Sequence, residues 1–247
     1  MTSGGADVKG LVRDHYGERA RRASVGPAAE TCCGPSAIYS PVELQGLPPT
    51  VTAASAGCGN PTALAGIGEG ETVLDLGSGG GIDCFIASRQ TGESGLVLGV
   101  DMTLDMVRLA TGNARKLGVR NVGFMLAELE HLPLASASVD VLLSNCVINL
   151  STDKDAVFRE AFRVLKPGGR LHVSDIVLDR DLPDGVRHDA EQLVGCIAGA
   201  DLHDVYLERM RRAGFTGVTT REAVPFRPGD VAGVVSAKVE AARPPGR

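Results

Sequence analysis

Three well-separated cysteines and one glycine-rich loop are the parts of this sequence best suited to chemistry. Cys58, Cys146 and Cys196 lie in the segments Ser-Ala-Gly-Cys-Gly-Asn-Pro, Ser-Asn-Cys-Val-Ile-Asn-Leu and Gly-Cys-Ile-Ala-Gly-Ala, and the loop reads Val-Leu-Asp-Leu-Gly-Ser-Gly-Gly-Gly over residues 73–81. Thiolates are good ligands for soft ions. A glycine loop between a strand and a helix lets the backbone approach a nucleotide closely. The combination predicts a nucleotide-type cofactor beside a soft, thiol-bound substrate.

The residues around the loop favour one cofactor over another. A dinucleotide fingerprint requires a third glycine where Ile82 stands, so its pattern is incomplete. Asp75 would disfavour a pyrophosphate but suits the cationic methionine end of S-adenosylmethionine. Asp101 ends the next predicted strand, about 20 residues beyond the loop, where an acid can bind both ribose hydroxyls. A nicotinamide cofactor and a glycine turn without a ligand are the less favoured alternatives. With the sulfurs nearby, we expect methyl transfer to a thiol-loving atom.

The cysteines alone leave two interpretations open. Cys146 follows the fourth predicted strand, at the sheet edge where open α/β folds bind ligands. Cys58 lies in a glycine-rich segment that can fold over this edge, and Cys196 is predicted on a helix after the fifth strand. A single buried cysteine is more often an inert core residue, which is the interpretation preferred for Cys84. Position alone therefore permits either a soft-ion site or core packing.

Composition excludes several other classes of protein. The 247 residues carry a net charge of −5 with no long basic block, which argues against a nucleic-acid partner. The first thirty residues lack the apolar run of a signal peptide, and no apolar stretch approaches the roughly 20 residues that cross a membrane. We therefore expect a cytoplasmic protein with reduced thiols and no membrane association. The six cysteines form no CxxC pair, so a structural zinc site is poorly supported.

The elements that must position these residues alternate between strand and helix from Thr72 onward, which predicts an α/β fold with a mainly parallel sheet covered on both faces. Five strands are expected in this part, and a terminal antiparallel pair is expected after residue 217. The predicted organisation is an N-terminal extension with a cysteine-containing cap (1–62), a Rossmann-like cofactor-binding core (63–180), substrate-binding helices with the terminal strands (181–240) and a disordered tail (241–247).

Several of these motifs together resemble the class I S-adenosylmethionine-dependent methyltransferases. They are the glycine loop with Asp75, Asp101-Met102, Ala127-Glu128, and the Lys-Pro-Gly-Gly turn at residues 166–169. The resemblance implies a Rossmann-like, seven-stranded, mostly parallel sheet with the cofactor along the carboxyl ends of its strands. It also implies which residues contact the cofactor. Gly77, Ser78 and Gly79 would contact the methionine part, and Asp101 the ribose. Met102, Ala127 and Glu128 would surround the adenine, and Asn145 would lie near the sulfonium.

The three cysteine segments narrow the resemblance further. In their order along the chain they resemble those of the arsenite methyltransferases, over roughly residues 30–240. The resemblance implies that Cys58, Cys146 and Cys196 carry trivalent arsenic. It also implies that an upstream cysteine, Cys32 or more specifically Cys33, takes part in thiol–disulfide exchange, with Cys58 as its candidate partner. Many relatives have a longer C-terminal region, so we expect product formation or release to differ here.

The implied reaction is methylation of arsenite, in the EC 2.1.1 class, for arsenic detoxification. Arsenic carries no proton to remove, so no general base is expected, and thioredoxin or glutathione would reduce the disulfide formed during turnover. Two rival hypotheses remain. One is a class I methyltransferase for a small organic acceptor, such as a quinone or sterol precursor, and the other is a non-enzymatic thiol-based metalloid binder.

Overall fold

A computed structural model describes residues 4–26, 35–187, 189–226 and 231–246. Seven strands form one sheet in the order β3-β2-β1-β4-β5-β7-β6. The strands are β1 (Thr72–Leu76), β2 (Leu96–Asp101), β3 (Val122–Leu126), β4 (Val139–Asn145), β5 (Leu165–Leu178), β6 (Thr216–Pro225) and β7 (Val234–Ala242). The strands β1 to β5 pair in parallel, whereas β7 runs antiparallel to both of its neighbours. The predicted Rossmann-like α/β fold with a seven-stranded, mostly parallel sheet is confirmed.

The central strands have the apolar sequence that burial on both faces requires. In β1, Leu74 pairs in register with Leu98 of β2 and with Leu142 of β4, and the first and last of these three leucines are fully buried. Asp75 is the polar exception in this run. Because β1 and β4 are adjacent, the loops at their carboxyl ends lie side by side, and those loops carry the glycines and Cys146.

Helices connect the strands and precede them. In chain order they are α1 (Gly4–Val25), α2 (Pro35–Ile38), α3 (Pro41–Leu44), α4 (Pro49–Ala54), α5 (Ile82–Thr91), α6 (Leu104–Leu117), α7 (Lys154–Val164), α8 (Asp184–Arg187), α9 (Ala190–Val194) and α10 (His203–Arg212). A short 3₁₀ turn spans Ile148–Leu150.

Local sequence explains where the longer helices begin and end. The carboxylate of Asp153 accepts a hydrogen bond from the Ala156 amide at 2.9 Å and caps α7. Gly118 ends α6 in the left-handed conformation, with φ 66°, which glycine adopts without steric penalty. Between α7 and α10, the rings of Phe158 and Tyr206 meet edge to face with centroids 5.4 Å apart. This packing holds both helices on the sheet.

Two boundaries differ from the sequence-based expectations. Helix α9 ends at Val194, so Cys196 lies in the following turn and not on a helix as predicted. The expected disorder from residue 241 is wrong for its first residues, because Ala241 and Ala242 belong to β7 and Arg243 exchanges backbone hydrogen bonds with the turn at residues 168–169. The division near residue 180 stays a prediction. Strands from both sides of that residue belong to one sheet.

Within the part of the chain that the structure describes, none of the helices combines the length and apolar character needed to cross a lipid bilayer.

Candidate functional site

A cleft of about 730 Å³, partly open to solvent, lies at the carboxyl edge of β1, β2 and β4. Its walls come from three parts of the chain: helix α1, the end of α4 with the segment after it, and the loops that follow the strands. The lining residues that the sequence had singled out are Gly77, Gly79, Asp101, Met102, Asn145 and Cys146. The mainly apolar walls with a few polar groups are typical of a small-molecule site.

The glycine loop forms the floor of this cleft. Gly77 and Gly79 have φ angles of 69° and 50°, in the region that disfavours side chains. A Cβ atom on Gly77 would collide with Val147, while a Cβ atom on Gly79 would meet no atom within 4 Å and would project into open space. Ser78 does not line the cleft, and its buried Oγ has no hydrogen-bond partner. Two of the three predicted loop contacts are therefore placed at the cleft.

Asp101 is positioned by the backbone on either side of it. Its carboxylate accepts hydrogen bonds from the amides of Gly79 at 3.0 Å and Thr103 at 2.8 Å. Burial raises the pKa of this carboxyl group, and the two amide donors oppose the increase. The acid thus lies at the cleft wall in a fixed orientation, as the ribose-binding prediction requires.

Asp75 lies elsewhere than the sequence suggested. It is buried behind the loop, is absent from the cleft wall, and accepts a hydrogen bond from the Cys84 thiol at 3.3 Å. Burial, followed by the charge of Asp83, raises the pKa of Asp75 well above its usual range. A direct contact between Asp75 and a cationic ligand is therefore not supported by its position. Cys84 is fully buried in the apolar cluster beneath β1, in line with the packing role preferred for it.

The residues predicted around the adenine are divided between two surfaces. Met102 lines the main cleft and also a shallower hollow beside it, and Ala127 and Glu128 line only that hollow. The Glu128 carboxylate accepts hydrogen bonds from Lys9 at 2.7 Å and from Arg13 at 2.5 Å. These ion pairs lower the pKa of Glu128 and attach helix α1 to the cleft rim.

Helix α1 is the part of the site that sequence reasoning missed. Lys9, Val12 and Tyr16 project from it onto the cleft. Arg19, also on α1, donates to the Ala54 carbonyl at 3.1 Å and to the Ser55 carbonyl, and so holds the chain that leads to Cys58. No motif in the sequence marks the contact of this helix with the cleft. Its role depends on tertiary packing.

The structure brings Cys58, Cys146 and Cys196 together. Cys58 and Cys146 form a disulfide, with their Cα atoms 5.9 Å apart. The Cys196 thiol donates a hydrogen bond to the Cys146 carbonyl oxygen at 2.8 Å. Burial, then the charge of Asp175, raises the pKa of Cys196 well above its usual range.

Backbone conformation sets the direction of two of these cysteines. Cys146 and Cys196 have φ angles of 53° and 65°, which are uncommon for residues with a side chain. The disulfide occupies two of the three sulfurs, and no group of three potential metal ligands is assembled among the described residues. A three-sulfur site therefore requires reduction of this disulfide.

Cys32 and Cys33 lie outside the described residues, so their predicted exchange role is not tested. The candidate pairing of one of them with Cys58 differs from the structure, in which the partner of Cys58 is Cys146. The short distance between Cys58 and Cys146 follows from the positions of β4 and of the segment after α4. The sequence did not reveal that these two elements lie next to each other.

Comparison with known proteins shows the family to which the chain belongs. The family profile described as a methyltransferase domain matches residues 67–217. The crystal structure of an arsenic(III) S-adenosylmethionine methyltransferase from Chlamydomonas reinhardtii superposes with a TM-score of 0.73 at 38% identity, covering 82% of this chain and 72% of that one. The chain belongs to the arsenite methyltransferase family.

Two curated members of the arsenite methyltransferase family show the same relationship over part of their length. The Halobacterium salinarum protein is 49% identical over 66% of this chain, and the Aquipseudomonas alcaligenes protein is 40% identical over 83% of it. This chain spans 41% of the first relative and 61% of the second.

Proposed function

We propose that this protein methylates trivalent arsenic, held by Cys58, Cys146 and Cys196, with S-adenosylmethionine as the methyl donor. The observation that carries the proposal is the convergence of Cys58 and Cys196 on Cys146, which lines a cleft whose floor is the glycine loop. A methyltransferase for an organic acceptor would not need three sulfurs at this place.

The cleft fits the proposed donor. Asp101 offers an oriented carboxylate for a ribose, the open space at Gly79 allows a ligand to approach the backbone, and Met102 gives an apolar wall for a base. When bound, S-adenosylmethionine supplies an electrophilic methyl group. Asn145 and Cys146 occupy the wall shared by the cleft and the cysteines, so the chain places its sulfurs next to the donor pocket.

The proposed chemistry needs orientation more than acid–base catalysis. Three thiolates would bind trivalent arsenic and leave its lone pair free to form the new bond to carbon. Arsenic then becomes formally pentavalent, and its return to the trivalent state takes two electrons, which two cysteine thiols supply by forming a disulfide. We propose thioredoxin or glutathione in the cytoplasm as the reductant that regenerates the thiols.

The decisive experiment is incubation with arsenite, S-adenosylmethionine and a thiol reductant, followed by arsenic speciation. Wild type should form methylated arsenic, and Cys146→Ser should lose at least 90% of this activity, an order-of-magnitude effect expected for a missing thiolate ligand. Cys84→Ala serves as the control, since this buried cysteine does not line the cleft. Absence of methylated arsenic, or full activity of Cys146→Ser, would contradict the proposal.

Cofactor binding is tested separately with Asp101→Ala. This variant should bind S-adenosylmethionine at least tenfold more weakly, or about 1.4 kcal/mol, because the oriented carboxylate is lost. Isothermal titration calorimetry measures the change. Asp140→Ala, which removes an acid paired with Lys166 far from the cleft, should bind like wild type. Unchanged affinity of Asp101→Ala would remove this residue from the cofactor site.

A further inference from the structure

The Asn145 side chain connects the segment around Cys58 to the end of β4. Its Oδ1 accepts a hydrogen bond from the Cys58 amide at 3.1 Å, and its Nδ2 donates to the Gly59 carbonyl at 2.7 Å. A Cβ atom on Gly57 would come within 2.7 Å of three atoms of the same amide group. Asn145 therefore contacts three consecutive residues centred on Cys58, while its own backbone leads directly to Cys146.

The Asn145 amide is itself held by a buried pair. Tyr39 donates its hydroxyl hydrogen to the Asp83 carboxylate at 3.0 and 3.1 Å to the two oxygens. Asn145 Nδ2 lies 3.0 Å from the Tyr39 hydroxyl oxygen and 3.2 Å from Asp83 Oδ2, and both can accept from it. Tyr39 and Asp83 are 3% and 4% exposed, so water does not compete for these bonds.

A second contact acts on the opposite side of Cys58. The Ser236 hydroxyl of β7 donates to the Cys58 carbonyl at 3.0 Å. Of the two contacts, the one through Asn145 continues into a buried network that joins the segment before α3 to helix α5, the helix opened by the glycine loop. The position of Cys58 thus depends on elements that carry none of the three converging sulfurs and do not line the cleft.

We propose that Tyr39 and Asp83 are positioning residues that act through Asn145 to set the location of the Cys58 sulfur relative to Cys146. For arsenic, this inference rests on the proposed function, because Cys58 and Cys146 are two of the proposed ligands. For the disulfide between Cys58 and Cys146, the inference rests on the hydrogen bonds alone.

The test uses the Cys58–Cys146 disulfide and therefore needs no arsenic. The full chain is equilibrated with mixtures of reduced and oxidised glutathione; one glutathione disulfide oxidises the two thiols and leaves two reduced glutathione molecules. A loosened Cys58 meets Cys146 less often, so the equilibrium constant for disulfide formation should fall about ten- to a hundredfold in Asn145→Ala, which loses two hydrogen bonds to the segment. Tyr39→Phe should lower it about three- to tenfold. Thiol trapping and mass spectrometry of the 58–146 peptide pair give the constant.

The chain provides a matched control. Tyr206 is another buried tyrosine that donates to a buried carboxylate, Asp175, at 3.0 Å, but this hydrogen bond does not lead to the Asn145 side chain that holds the Cys58 segment. Tyr206→Phe should change the constant less than about twofold. If Asn145→Ala fails to fold, Gly57→Ala takes its place in the test. It introduces a Cβ against the Asn145 amide, and the disulfide constant should fall as expected for Asn145→Ala.

Arsenite affinity of the reduced proteins completes the test. Tyr39→Phe should bind arsenite several-fold more weakly and S-adenosylmethionine as wild type does, because Tyr39 does not line the cleft. If Asn145→Ala and Tyr39→Phe leave the disulfide constant within twofold of wild type, or if Tyr206→Phe lowers it as much as Tyr39→Phe, the positioning role is wrong. Failure of wild type to methylate arsenite would instead overturn only the proposed function.

Discussion

Two buried clusters of the same three residue types lie on either side of Cys146. In the first, Tyr39 and Asn145 both donate to Asp83. In the second, Tyr206 and Asn149 both donate to Asp175, at 3.0 Å in each case. We call them the Asp83 cluster and the Asp175 cluster. Their composition is the same, and their asparagines are four residues apart in the sequence.

The clusters differ in how each asparagine uses its remaining hydrogen-bonding groups. Asn145 uses its oxygen and its NH₂ group on the Cys58 segment. Asn149 donates to the Ile176 carbonyl at 2.7 Å within the sheet, and its buried Oδ1 has no partner. The Asp83 cluster therefore extends to a functional segment, and the Asp175 cluster ends inside the core. Residue composition alone does not reveal which buried network serves the site.

The largest expected difference between the clusters is their contribution to stability as a function of pH. Burial raises the pKa of Asp175 to about 7 and that of Asp83 to about 6, whereas an unfolded aspartate titrates near 3.9. The folded state consequently holds more protons than the unfolded state between these values, and the free energy of unfolding must fall as the pH rises through that window. For each acid the loss is roughly 3–4 kcal/mol by pH 7, and it continues to a higher pH for Asp175 than for Asp83.

Urea unfolding between pH 4 and 7 measures this contribution. Asp175→Asn resembles the protonated acid and should flatten the decline of stability over the whole window, whereas Asp83→Asn should flatten it only up to about pH 6. Slopes that match wild type in both variants would show that neither acid is protonated in the folded protein.

The asparagines should differ next. Asn149→Ala removes donors from the Asp175 carboxylate and the Ile176 carbonyl in a fully buried place, and should lower the free energy of unfolding by about 2–4 kcal/mol. Asn145→Ala, at a half-buried position, should cost about 1–2 kcal/mol in the reduced protein. Chemical denaturation in the presence of a reductant gives both values. An equal loss of stability would remove the distinction between a core cluster and a site cluster.

The smallest effect is expected at the tyrosines. Tyr39→Phe and Tyr206→Phe each lose one buried hydrogen bond to a carboxylate and should each lower the free energy of unfolding by about 1 kcal/mol. Tyr39→Phe also removes an acceptor for Asn145, which keeps Asp83 and the Gly59 carbonyl as acceptors. Thermal unfolding measures both losses. If they are equal, any difference between the two variants in the equilibrium constant of the Cys58–Cys146 disulfide comes from the position of the tyrosine and not from a general loosening of the fold. A much larger loss in Tyr39→Phe would weaken that comparison.

Sequence patterns predicted the architecture well because the physical causes are local. The apolar strand segments, the glycine loop and the Asp153 cap each act within a few residues, and each specifies its own element. The arrangement of strands followed from resemblance to a known fold. The placement of Asp101 and Cys146 at the cleft also followed, since both come directly after central strands.

The remaining parts of the site depend on contacts between distant residues. Tyr39 lies 106 residues from Asn145, and Lys9 lies 119 residues from Glu128, so no local pattern indicates that they meet. Asp75 illustrates the opposite problem, because its place in a known motif suggested a ligand contact while its side chain turns to Cys84. Side-chain direction at a motif position is set by the packing around it.

The left-handed backbone at Cys146 and Cys196 has a consequence for protein engineering. Glycine would adopt φ angles of 53° and 65° without the roughly 1–2 kcal/mol that a side chain costs there. A design method that weighs backbone conformation alone would therefore choose glycine at these two positions and discard two of the three converging sulfurs. Cysteine stands where the backbone alone favours glycine, so a stabilised version of this protein must be selected for thiol chemistry and thermal tolerance together.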